Sequence, residues 1–150
     1  MAAQSVKGNA ATEGCLRSAI SRAYYSVFLT VRDQIFGEDG KQLKNNKLKK
    51  ELNKSFQTKT KNKRYLNSHE IVIFALSQLK STVTLQPLAL SQQLRQLREA
   101  RVYADYTFNK QELKQIPFNN WTDYAKQMVA LTSQILPIAR RIGIAPAKQL

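Results

Sequence analysis

The sequence has one cysteine, one histidine, four prolines and five glycines among 150 residues, and each shortage closes off a class of function. Cys15 alone allows no intrachain disulfide, and no basic leader followed by an apolar run is seen, so a reducing, cytoplasmic setting is expected. Cys15 and His69 cannot build a zinc centre, which takes about four ligands, so neither metal nor cofactor is expected. Cys15, next to Leu16, reads as a small core residue. The glycines never cluster as a P-loop or dinucleotide fingerprint. Apolar runs such as Ile71 to Leu76 fall far short of the roughly 20 residues that cross a bilayer, so no membrane partner is expected. The length suits a single domain, 1–150, with a core large enough to stand without staples.

Acidic residues are also scarce: 10 against 24 Lys and Arg, a net charge of +14. Between Lys41 and Arg64 ten basic residues face Glu51 alone, so this segment carries +9 of the total. Such a block repels itself, stays solvated, and attracts phosphate through counterion release. Lys49, Lys50, Lys61, Lys63 and Arg64 are its candidate RNA contacts. A merely soluble basic loop and an acidic protein partner are the other readings of the same charge.

What is present is helical. Leu16, Ile20, Ala23, Val27, Val31 and Ile35 recur at helical spacing, with Tyr24, Tyr25, Phe28 and Leu29 widening the stripe, so a central helix is expected from Thr12 or Glu13 to Phe36. Gly37-Glu-Asp-Gly40 should stop it. A short helix is expected over Lys47 to Phe56. A further one should start at Ser68 as N-cap and carry Ile71, Val72, Ala75, Leu79 and Val83 on one face. Two more should run from Leu88 to Phe108 and from Asn120 to Ile142, the last capped by Asn120 with Asp123 and bent or locally broken at Pro137. No segment alternates as a strand. The expected fold is all-α: an up-and-down bundle of four main helices with a basic, partly helical insertion at 41–64.

Two arginines interrupt this pattern. Arg22 lies inside SRAYYSVF, Ser21 to Phe28, and Arg101 occupies a step of the stripe Leu90, Leu94, Leu97, 101, Ala104, Phe108. Arg98 and Asp105 stand one turn either side of Arg101. A guanidinium on a packed face needs a partner. Asp105 is expected to accept from Arg101 in its own helix and from Arg22 across the bundle. Such a knot either fixes the register of two helices or, with cations in excess, holds phosphate. His69, at the start of the middle helix, reads first as a capping or surface residue.

SRAYYSVF and the later RVYADY, Arg101 to Tyr106, together resemble the HEPN superfamily, the higher eukaryotes and prokaryotes nucleotide-binding domains. Ser68-His69-Glu70 is similar to a further position of its small bacterial and archaeal members. The resemblance covers roughly residues 14–108. It implies a dimeric helical bundle of toxin–antitoxin, phage-defence or RNA-processing systems, often a metal-independent endoribonuclease. A nucleotidyltransferase-type antitoxin is among the partners it implies. Active members pair an arginine with a histidine a few residues later. Here the corresponding positions are Tyr106, Thr107 and Phe108 counted from Arg101, and Tyr103, Ala104 and Asp105 counted from Arg98; none is histidine. The resemblance therefore assigns phosphate to Arg98 and Arg101, their organisation to Asp105 and Arg22, and the place of the missing histidine to Tyr106. A non-catalytic module of the same fold, binding RNA, a nucleotide or a partner protein, stays open beside it.

Overall fold

The computed structural model describes the backbone of residues 2–106 and 120–143 and the side chains of 12–105 and 120–143. The first helix, α1, spans Ala2–Phe36 and so starts well before Thr12. Alanine, the best helix former, supplies four of the ten residues from Ala2 to Ala11 in that added stretch. Gly37 ends it with φ 84°, a left-handed conformation that costs glycine nothing. A short 3-10 helix, Glu38–Lys44, follows. At its centre Gly40 has φ 64° and lies under the Arg32 side chain, whose Cδ would be 2.8 Å from any added Cβ.

The basic segment is more helical than its charge suggests. Helix α2 spans Asn46–Thr60, opened by the Asn45 side chain accepting from the amides of Lys47 and Leu48. One face buries Leu52 and Asn53 and packs Leu48 and Phe56 against the core; the lysines occupy the remaining surface. Helix α3, Ser68–Ser77, is capped by Asn67 rather than Ser68, in a capping box with Glu70. It stops before Val83, which is fully exposed in the following turn, where the Leu85 amide donates to Thr82. Helix α4 spans Pro87–Tyr106, with proline at a helix start where its missing N–H costs nothing. Its expected continuation to Phe108 lies outside the described residues. Helix α5, Trp121–Ala139, is capped by Asn120 accepting from the Asp123 amide. Pro137 lies within two residues of its end, so the helix is not broken in its body.

Helix α1 is central, packing most extensively on α5 and α4; α3 lies across α1 and α4, and α2 covers α3. The buried apolar side chains form one continuous core, with Ile20, Tyr24, Val27, Val31 and Ile35 of α1 at its middle. Among the described residues the chain is an all-α bundle, and none of its helices is long and apolar enough to cross a membrane. Cys15 is exposed, not a core residue.

Candidate functional site

Where α1, α3 and α4 meet, an imidazole sits among aromatic rings and arginines. The capping box fixes the start of α3 and so sets His69 against α1. There the Tyr24 hydroxyl and His69 Nδ1 are 2.6 Å apart. The His69 ring stacks on Phe28 at 4.4 Å and lies 6.1 Å from Tyr25, edge to face. From α4, the Arg101 guanidinium covers the Tyr25 ring at 5.2 Å, a cation–π contact.

The electrostatics follow from this placement. Burial first, then the positive charges of Arg98 and Arg101, hold the His69 pKa below its ordinary value, so at neutral pH the imidazole is uncharged. Burial pushes the Tyr24 phenol far above its usual range and outweighs the opposing pull of the same arginines. Tyr24 therefore keeps its proton and is no base, but as a hydroxyl it can donate to His69 or accept from it. When His69 carries its proton on Nδ1 and donates it to Tyr24, Nε2 is left with a free lone pair. Arg98 Nε is buried and has no hydrogen-bond partner among the described residues.

Of the residues expected to form the site, Arg98, Arg101 and Asp105 are neighbours on α4. Arg101 Nε pairs with Asp105 Oδ2 at 2.8 Å within the helix. The expected bond from Arg22 to Asp105 is absent. Arg22 shares an outward face of α1 with Ser26 and Leu29, four and seven residues on, and all three are exposed. It borders the same shallow cleft as Asp105 without hydrogen bonding or ion pairing to it. The arginine that reaches from α1 to α4 is Arg17, one turn and a half earlier, whose Nε donates to the Ala104 carbonyl at 2.7 Å. Tyr106 closes α4, and its side chain lies outside the described residues. Lys50, Lys61, Lys63 and Arg64 are exposed and Lys49 partly so, all on α2 or just beyond it. Arg64 alone of these is tied down, pairing with Glu70 at 2.6 Å and lying over the Phe56 ring at 5.3 Å. Burial raises the Glu70 pKa, but the hydrogen bonds from Arg64 and the Asn67 backbone and the nearby positive charges win, and it is lowered.

The residue that sequence reasoning set aside is thus His69. Its signal was its position two residues after a capping asparagine, which fixes where the first turn of a helix points; what α3 crosses is a tertiary fact. Between α2, α3 and α4 a cleft of about 500 Å³ opens beside the site, lined by Phe56, Phe74, Arg64, Arg95 and Arg98 among others. No family model, curated protein or solved structure matches this chain.

Proposed function

We propose that this protein is a HEPN-type protein acting on RNA, a metal-independent endoribonuclease of a toxin–antitoxin or phage-defence system, working in the cytoplasm as a homodimer. The observation that carries this reading is the meeting of a neutral His69, held by Tyr24, with two arginines. In the reaction, His69 takes the proton of a ribose 2'-hydroxyl as that oxygen attacks the adjacent phosphorus. The bond from phosphorus to the 5'-oxygen breaks, the leaving oxygen takes a proton from solvent, and a 2',3'-cyclic phosphate remains. Arg98 and Arg101 stabilise the charge that builds on the phosphate oxygens. His69 thereby fills a role that the expected spacing on α4 leaves empty. Asp105 orients Arg101.

A second reading is favoured by the solvated cations of α2, which attract a phosphate backbone without any chemistry: a non-catalytic module of the same fold binding RNA, a nucleotide or a partner such as a nucleotidyltransferase-type antitoxin. Incubating purified protein with labelled RNA in EDTA separates the two. The nuclease reading expects cyclic-phosphate ends, lost in His69→Ala; binding without cleavage by the wild type favours the module.

A further inference from the structure

We propose that the segment 61–67, between α2 and α3, is a platform for one unpaired nucleotide, with Tyr65 stacking on its base and the adjacent cations holding its phosphates. The strand would then continue through the cleft toward Arg98. This deepens the reading above and rests on it for taking the strand to be RNA.

The first observation is exposure. Tyr65 is 79% exposed, whereas Tyr24 and Tyr124 are buried and Tyr25 and Tyr103 partly so. A ring this solvated does nothing for the core. Its neighbours Lys61, Lys63 and Arg64 are exposed as well, so the ring is flanked by positive charge. The second observation is that the backbone beneath it is pinned. The Gln57 side-chain amide donates to the carbonyls of Lys63 at 3.2 Å and Arg64 at 3.3 Å. The Leu66 amide donates to Asn53 Oδ1 at 2.7 Å, with Asn53 and Leu66 both buried. Two side chains of α2 are thus spent on holding an irregular stretch in one shape. A ring held this way binds without first paying to order its loop.

The third observation is continuity. Arg64 bridges from the platform to the cleft, over Phe56 and against Glu70. The cleft has an aromatic side, where Phe56 and Phe74 meet edge to face at 5.6 Å, and the cations Lys59, Arg64, Arg95 and Arg98 outnumber its two carboxylates, Glu70 and Glu99, the first of which pairs with Arg64. Arg98 is also one of the two arginines acting on His69. Aromatic faces alternating with cations along one track match a single strand, whose bases can turn out and stack while its phosphates follow the charge. A duplex could use the cations but has no base to offer, and an acidic peptide gains little from the flat ring.

The test measures affinity by fluorescence anisotropy with the full chain carrying His69→Ala in every arm, so that no strand is cut. The probes are a labelled oligoadenylate too short to pair with itself and a blunt RNA duplex. Tyr65→Ala is expected to weaken the single strand about tenfold, Tyr65→Phe to leave it within about twofold, and the duplex to change by less than about twofold in either. An unchanged single-strand affinity in Tyr65→Ala, or equal losses for strand and duplex, overturns the platform. Cleavage by the otherwise wild-type chain is scored separately. Cleavage with Tyr65-independent binding overturns the platform alone, and Tyr65-dependent binding without cleavage overturns the nuclease reading alone. Absence of RNA binding at low salt overturns both.

Discussion

The junction of α1, α3 and α4 and the outer surface of α2 are both rich in cations, yet they use charge in opposite ways. At the junction the charges are few and individually placed: Arg101 is held by Asp105 and the Tyr25 ring, and Arg98 is partly buried. On α2 the charges are many and solvated, with most of its lysines exposed. Placed charges shift the protonation of a neighbour, as they do for His69. Solvated charges produce a long-range field that salt screens within roughly 10 Å. The first arrangement suits chemistry on a phosphate and the second suits attracting a polyanion.

The comparison breaks most readily at Tyr24. Tyr24→Ala removes a fully buried ring from the middle of the core and should cost about 3–5 kcal/mol in urea unfolding, as large aromatic truncations do. Tyr24→Phe keeps the ring, loses the bond to His69, and should cost about 1 kcal/mol. If Tyr24→Phe unfolds as the wild type does, the hydroxyl is idle. Next in size is Arg101→Ala, which should lower RNA cleavage on the order of a hundredfold while the fold persists. An unchanged rate would leave this arginine only a structural tie. Replacing Lys49, Lys50, Lys61 and Lys63 by glutamine should leave the melting temperature nearly unchanged. It should flatten the salt dependence of RNA binding by about 0.7 in log–log slope for each lysine that meets a phosphate. A large loss of stability would show that these lysines pack rather than solvate. The smallest effect belongs to Asp105→Ala. Its carboxylate is 31% exposed and bonded within its own helix, so the loss should stay under about 1 kcal/mol by thermal melting.

These contrasts also show what the sequence could reveal. The stripe from Ile20 to Ile35 and the cap at Asn120 are local, periodic features, and both stand where the pattern puts them. The i,i+4 spacing of Arg101 and Asp105 likewise contained their ion pair. Arg22 was read as inward because its neighbours are, but on a helix it shares a face with Ser26 and Leu29, and that face points out. The end of α3 went unseen because Val83 continues its apolar period past a stretch of serine and threonine that turns instead. For α2, the density of lysine hid a narrow buried face of Leu52 and Asn53. His69 with Tyr24 joins residues 45 apart in sequence, and which ring faces which depends on how α3 crosses α1. No periodicity encodes that.

The central claim is that His69 sits neutral in the field of Arg98 and Arg101 while bonded to Tyr24. Because the chain has one histidine, a pH titration of its imidazole signals by NMR reads that group without ambiguity. The account predicts an apparent pKa below 6.5 that moves upward in Arg98→Gln and in Arg101→Gln. The sign for stability follows. The folded state resists protonation, so stability is full above about pH 6.5 and declines as pH falls from there through the lower folded value, and the melting temperature should drop over the same window. A pKa at or above 6.5 that neither arginine substitution moves would contradict the account.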